Sequence, residues 1–253
     1  MKKTYDCGLL SKKELARGIF DFVVEAPEIT RAAMPGQFLH VDCGGDAFLR
    51  RPISICDAEA GKLRFVFEVK GKGTELLAKK EEGGRINIMG PLGNGFTTTE
   101  KYRHPVLVGG GIGIFPLYML AKHIQKPHTI LGFRSKDRIV MEDEFQAVSA
   151  ELQISTDDGS YGYHGYSADL LKAYIAGKSC DIVYACGPTP MLKAVKAVSE
   201  AAGIPCQLSM EQRMGCGIGA CLVCTCETNR PGMEQRARVC KDGPVFWSEE
   251  LVL

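Results

Sequence analysis

Between residues 216 and 240 the chain carries five cysteines, the first three arranged as Cys216-Gly-Ile-Gly-Ala-Cys221-Leu-Val-Cys224. A C-x4-C-x2-C run with a further cysteine downstream is the spacing of a plant-type [2Fe–2S] loop. Cys240 supplies that fourth thiolate, with fifteen residues between it and Cys224. Two iron ions would then share four thiolates, two to each. Gly215, Gly217 and Gly219 let the backbone wrap closely and turn N–H groups toward sulfur, and such hydrogen bonds tune a cluster's reduction potential. Four cysteines can also hold zinc, but zinc sites usually show two C-x2-C pairs, and here Cys221 and Cys224 form one with no second following. Cys226 competes with Cys224 for the third ligand position, and the x4/x2 spacing favours Cys224.

A segment built around such a loop has no core of its own and depends on a bound metal centre to fold. The 253 residues leave room for two ordinary domains ahead of it. The first hundred residues read as β structure: short apolar runs at 18–24, 37–43, 53–57, 63–69 and 85–89, separated by Gly, Pro or charged turns, with one helical stretch at 74–80. That spacing predicts a small antiparallel barrel. From Pro105 the rhythm changes. Strands at 105–108, 128–133, 152–156 and 181–185 alternate with helices at 115–123, 142–148, 167–176 and 189–201, which predicts a parallel sheet with helices on both faces. The expected organisation is therefore a multidomain β plus α/β chain. A barrel spans 1–100, an α/β nucleotide-binding domain 101–204 and a cluster-binding segment 205–253.

Composition excludes several classes. A formal net charge of +1 gives no reason to expect a nucleic-acid or anionic-membrane surface. Lys12, Lys13, Glu14 and Arg17 fall where an export signal needs an apolar stretch. Eleven cysteines, an odd number, in a chain without such a signal point to reduced thiols and a cytoplasmic location. The scattered Cys7, Cys43, Cys56, Cys180, Cys186 and Cys206 read as structural thiols, and the five histidines as structural side chains.

Two pairs of short motifs carry further chemistry. Arg51-Pro52-Ile53-Ser54 places a guanidinium suited to a pyrophosphate and a hydroxyl suited to a flavin ring nitrogen. Val66-Phe67-Glu68 precedes Gly73-Thr74, whose position at a helix start adds N–H donors and a hydroxyl for the same anion. Gly73-Thr74 reads equally as a turn with a helix cap. Gly109-Gly110-Gly111-Ile112-Gly113 follows a strand and opens a helix, but it departs from G-x-G-x-x-G because the third position is Ile114. A glycine turn at the carboxyl end of a parallel strand still admits a pyrophosphate. Cys186-Gly187-Pro188 ends a later strand in the same way, so the two turns form a candidate dinucleotide floor, or are ordinary strand-to-helix turns.

Taken together these residues resemble the ferredoxin–NADP reductase superfamily. Arg51 to Ser54 is similar to its R-x-[YF]-S flavin motif, with Ile53 replacing the aromatic residue. Gly71 and Thr74 match its G-x-x-[ST]. Gly111 to Pro116 resembles G-T-G-I-A-P, and Cys186-Gly187-Pro188 with Met191 resembles C-G-P-x-x-M. The C-terminal cluster segment narrows the likeness to the electron-transfer subunits of dihydroorotate dehydrogenase B.

The resemblance implies FAD at Arg51, Pro52, Ile53, Ser54, Val66, Phe67, Glu68, Gly73 and Thr74. It implies NAD(H) at Gly111, Gly113, Cys186, Gly187 and Pro188, with Cys186 a possible nicotinamide contact, and a [2Fe–2S] cluster at Cys216, Cys221, Cys224 and Cys240. It further implies an FMN-containing catalytic partner chain that oxidises dihydroorotate, in a heterotetramer of two plus two. Ser155-Thr156-Asp157-Asp158 stands where NADP-dependent members carry Ser-Arg, and two carboxylates there favour NAD. The small subunit of an NADH-dependent ferredoxin:NADP transhydrogenase, or of a sulfhydrogenase, is the alternative enzyme reading. A redox-sensing cluster module is the alternative of another class.

Overall fold

The computed structural model describes residues 3–99, 101–124, 126–229 and 235–253. Its N-terminal strands are β1 (Thr4–Ala16), β2 (Ile19–Glu25), β3 (Phe38–Val41), β4 (Arg51–Glu59), β5 (Lys62–Glu68) and β6 (Arg85–Leu92), with short helices α1 (Pro27–Thr30) and α2 (Lys72–Ala78). They close into an antiparallel barrel in the order β1-β2-β5-β4-β3-β6. Leu39, Val41, Ile53, Ile55, Phe65, Phe67, Ile86 and Ile88 fill its interior.

The longest strand, β1, has no counterpart among the expected runs. Only Cys7 and Leu9 along its thirteen residues are fully buried, so it carries little alternation. Its identity comes from ladder pairing with β2 and β6 on either side. Arg51 and Pro52 also belong to β4 itself rather than to a segment after a strand. Helix α2 starts at Lys72, ahead of the Thr74 expected to open it.

The α/β half follows the expected rhythm closely. Strands β7 (Pro105–Gly110), β8 (His128–Phe133), β9 (Glu151–Thr156), β10 (Tyr163–His164), β11 (Ile182–Cys186) and β12 (Cys206–Ser209) run parallel. Between them lie α3 (Phe115–His123), α4 (Glu142–Val148), α5 (Ser167–Gly177) and α6 (Thr189–Ala201). Phe115, Leu117, Leu120 and Phe145 pack on one face of the sheet. Leu171, Leu192 and Val195 pack on the other. Covered on both sides, β7 and β11 are apolar almost throughout rather than alternating.

The C-terminal segment adds a small ribbon of β13 (Thr225–Glu227) and β14 (Arg236–Arg238), then β15 (Val245–Trp247). β15 pairs antiparallel with β12, which gives the seven-stranded order β10-β9-β8-β7-β11-β12-β15. The segment borrows its core. Cys224, Cys226, Val239, Cys240 and Phe246 share one buried cluster with Val106, Val183 and Leu208 of the sheet and with Phe38 and Leu92 of the barrel. Asn94 fastens it to the barrel: its N–H donates to the Gly243 carbonyl at 2.7 Å, and its side-chain amide donates to the carbonyls of Lys241 and Asp242 at 3.2 and 3.1 Å.

Ion pairs tie the barrel to the α/β half on the opposite side. Lys122 on α3 donates to Asp57 and Glu59 of β4, each at 2.7 Å. Arg138 bonds Glu68 and the Arg17 carbonyl. Arg64 of β5 is held between Asp21 of β2, at 2.9 Å, and Glu144 of α4. The Asp21 side chain is only 8 % exposed, so removing its partner strands a carboxylate in the seam. Arg64→Leu should therefore lower unfolding stability by about 3 kcal/mol, read as a reduced urea midpoint. A loss within about 0.5 kcal/mol, the range of ordinary surface substitutions, would mean this pair does not anchor the seam.

Candidate functional site

The thiols meet as two pairs. Around Cys216 the loop folds its own backbone inward: the N–H groups of Ile218, Ala220 and Cys221 donate to Cys216 Sγ at 3.5, 3.3 and 3.4 Å. The Cys216 N–H returns a bond to Cys221 Sγ at 3.4 Å. Cys240 donates its N–H to Cys224 Sγ, also at 3.4 Å. Positive φ at Gly217 and Gly219 (70° and 87°) makes this wrapping possible. Among the described residues there is no group of three or more His, Cys, Asp or Glu arranged to hold a single metal ion. Two pairs of thiols with N–H donors aimed at sulfur fit a two-iron group, which asks for two ligands per iron.

The pairs differ in proton affinity. At Cys216 burial opposes ionisation, but the N–H donors of Ile218, Cys221 and Ala220 outweigh it and bring the pKa down to about 6. Cys240 is pushed up to about 12, first by burial and then by Cys224 beside it. Cys226 is buried on β13, opposite Ala237. Ile218, Leu222 and Val223 stand exposed around Cys221, and Leu222 holds a left-handed backbone, φ 57°, that apolar residues rarely adopt.

On the barrel, Arg51 lies flat over Gly73. A Cβ at Gly73 would come within 2.5 Å of Arg51 Nε, so only glycine lets the guanidinium reach this place. The Thr74 hydroxyl is committed to its own turn. It accepts from the N–H groups of Lys70 and Gly71 at 2.9 and 3.3 Å and donates to the Gly71 carbonyl at 3.0 Å. Ile53 and Phe67 point into the barrel core and Val66 into the seam. Glu68 is engaged by Arg138 and Lys70. Pro52 and Ser54 stand opposite His40 and Phe38 across the β3–β4 ladder and so share the outer face.

At the sheet's carboxyl edge the two glycine turns touch. Chain order reverses between β7 and β11, whose neighbours run to β8–β10 on one side and β12 on the other. Ligands of open parallel sheets bind at such a switch point. Gly113 is packed so tightly that a Cβ would meet the Cys186 carbonyl oxygen at 2.5 Å, and one on Gly110 would meet Met191 Sδ at the same distance. The half-buried Cys186 thiol, pushed up to about 12 by burial with Ser209 beside it, is protonated at neutral pH. Asp157 and Asp158 lie exposed beyond β9, and Ser160 caps Asp158.

Sequence reasoning missed Ser209 and His40. His40 lies on β3 against the cluster loop: a Cβ on Gly217 would approach its Nδ1 to 2.7 Å. Burial, followed by the Arg50 charge, pushes its pKa down to about 4.

A closed antiparallel barrel beside a parallel sheet with glycine turns at its switch point defines an oxidoreductase of the ferredoxin reductase fold. Comparison with known proteins makes the assignment narrower. The oxidoreductase NAD-binding domain matches residues 107–197, and the iron–sulfur cluster binding domain of dihydroorotate dehydrogenase B matches residues 211–252. The dihydroorotate dehydrogenase B (NAD+) electron transfer subunit of Caldanaerobacter subterraneus subsp. tengcongensis is 41% identical over 96% of each chain. That of Geobacillus thermodenitrificans is 41% identical over 97% of each. A chain of the NADH-dependent reduced ferredoxin–NADP oxidoreductase, a structure solved in connection with flavin-based electron bifurcation, superposes with a TM-score of 0.87 at 34% identity, covering 100% of this chain and 91% of that one. The ferredoxin reductase of carbazole 1,9a-dioxygenase shares the fold, with a TM-score of 0.69 at 17% identity. The chain belongs to the family of dihydroorotate dehydrogenase B (NAD+) electron transfer subunits.

The contrast within the thiol set is directly measurable. In the full chain stripped of iron, iodoacetamide should alkylate Cys216 well before Cys240 at pH 7.5. The Cys216 rate should rise with pH through about 6, as its thiolate forms. Equal rates at Cys216 and Cys240 would remove the asymmetry.

Proposed function

We propose that the residues gathered here hold three redox groups in one body, with division near 1–100, 101–204 and 205–253. Arg51, seated over Gly73, takes the FAD pyrophosphate. Pro52, Ile53, Ser54, Val66, Phe67, Glu68 and Thr74 shape the flavin's bed, with Ser54 offering a hydroxyl and Thr74 holding the turn. Gly111, Gly113, Cys186, Gly187 and Pro188 floor the NAD site, where the neutral Cys186 thiol adds no charge. Asp157 and Asp158 would repel a 2′-phosphate, which suits NAD over NADP. Cys216, Cys221, Cys224 and Cys240 ligate the [2Fe–2S] cluster, and Cys226 packs the β13–β14 ribbon beneath it.

The chain is an electron-transfer subunit that delivers electrons from a partner chain to NAD+. When bound, the cluster carries single electrons and the flavin exchanges them for the hydride that nicotinamide takes. The protein's own residues position and insulate. The exposed Ile218, Leu222 and Val223 beside Cys221 suit a docking face for the partner, which by family likeness is the FMN-containing chain that oxidises dihydroorotate in pyrimidine biosynthesis. An assembly of two plus two chains fits that likeness. Among the described residues no helix is long and apolar enough to cross a membrane, and Cys7, Cys43, Cys56, Cys180 and Cys206 are thiols rather than disulfides. Cytoplasmic residence accords with those thiols.

The observation that carries this reading is the C-x4-C-x2-C loop seated against the barrel, within a chain 39–41% identical to electron transfer subunits over nearly its whole length. A second reading, the small subunit of an NADH-dependent ferredoxin:NADP transhydrogenase, draws on the 0.87 superposition at 34% identity. The test is NADH formation on adding dihydroorotate to the chain co-purified with its native partner. Rapid NAD+ reduction, at least a hundredfold slower in Cys221→Ser, is expected. Dye reduction by NADH without dihydroorotate turnover would favour the second reading.

A further inference from the structure

His40 occupies a place that neither the cluster motif nor the flavin motif explains. It lies on β3 with Leu39 and Val41 turned into the barrel on either side, so its ring points outward. Directly across the ladder on one side is Pro52, within the Arg51–Ser54 motif, and on the other is Met89 of β6. Outside the ring lies the cluster loop, with the Gly217 backbone so close that a Cβ there would stand 2.7 Å from Nδ1 and 3.2 Å from Cε1. One imidazole thus touches the loop that carries Cys216 and stands over the strand that carries Arg51 and Ser54.

The residue is 1 % exposed, and both Nδ1 and Nε2 are buried with no hydrogen-bond partner. Backbone acceptors of Arg50 and Cys216 lie near enough to the ring to favour its protonated form, but neither makes a hydrogen bond to Nδ1 or Nε2. An imidazole carries at least one N–H in either protonation state, and buried donors in folded proteins find acceptors. A leucine or phenylalanine would fill this space without that cost, as Phe38 does two residues earlier on the same face. A donor that is buried, unpartnered and pressed on a cysteine-ligand loop calls for an acceptor that arrives with the metal centre. Sulfur of a cluster or of its thiolates is such an acceptor, and N–H groups donated to it raise the reduction potential.

We propose that His40 is a positioning residue that locks the Cys216–Cys221 loop to the flavin-binding strand and donates its ring N–H to a sulfur of the [2Fe–2S] centre. This rests on the reading of Cys216 and Cys221 as ligands. The parent chain separates the two: if it holds no [2Fe–2S] centre, that reading fails, and only a loaded parent tests His40.

The experiment is a mediated redox titration of the full-length, cluster- and FAD-loaded chain, followed by the EPR signal of the reduced cluster, with iron and flavin content measured for each variant. His40→Phe keeps a ring and removes the N–H. Its cluster potential should fall so that the one-electron equilibrium with the flavin shifts about tenfold toward oxidised cluster, ~59 mV for one electron. His40→Asn puts an amide N–H near the place of Nδ1 and should recover most of that shift. Iron lost from His40→Phe but retained in His40→Asn at the parent potential would equally support a donor. An unchanged potential in loaded His40→Phe, a shift as large in His40→Asn, or iron lost from both variants would assign His40 to packing alone and overturn the proposal.

Discussion

The arrangement depends on the C-terminal segment being seated across the barrel and the sheet at once. Phe38 and Leu92 of the barrel's outer face, Val106 and Val183 of the sheet, and Cys224, Val239 and Phe246 of the segment are buried in one cluster. None of the three contributors closes that core alone. Apolar burial of this kind is worth roughly 1.5–3 kcal/mol for each large side chain, and it also fixes where the thiols sit. The loop reaches His40 because β15 completes the sheet and Asn94 clamps 241–243 to the barrel. Packing that stabilises the segment is therefore the same packing that brings the thiol loop against β3 of the barrel.

The second constraint is close backbone approach at the sheet's switch point. Gly110 and Gly113 press on Met191 and on Cys186, so the two strand-to-helix turns behave as one surface. Its chemistry is that of backbone dipoles and a protonated thiol, with little fixed charge. That suits a site whose task is to orient a dinucleotide and exclude water while the cofactors do the chemistry. The ionic groups lie elsewhere, in the seam where Arg64, Lys122 and Arg138 bind the two halves. There they hold β4 and β5 of the barrel against the α/β half.

Legibility tracked how local each signal is. The helices at 115–123, 142–148 and 189–201 and the strand at 128–133 were readable to the residue, because Gly, Pro or charged turns break the apolar runs within a few positions of their ends. The thiol spacing was readable because a wrapped loop brings its own donors to its own sulfurs. By contrast β1 buries only Cys7 and Leu9 fully, and β12 and β15 are four and three residues long. Their strand character comes from pairing, β1 with its neighbour β2 and the distant β6, and β12 with β11 and β15. His40 was passed over for the same reason: its meaning lies in Gly217, which is remote along the chain. Thr74 was placed at the right turn, but the structure shows its hydroxyl spent on Lys70 and Gly71. A motif names a residue without showing which of its atoms remain available.

If the proposed sites are right, one chain connects nicotinamide, flavin and cluster electrically. Anaerobic titration of the isolated full chain with NADH tests it most directly, following flavin absorbance and the cluster's EPR signal in the same sample. Both should respond: the flavin bleaches and the reduced-cluster signal grows with it, without any partner present. Flavin bleaching with a cluster that stays oxidised, although dithionite can reduce it, would show that the seating described here does not join the two centres.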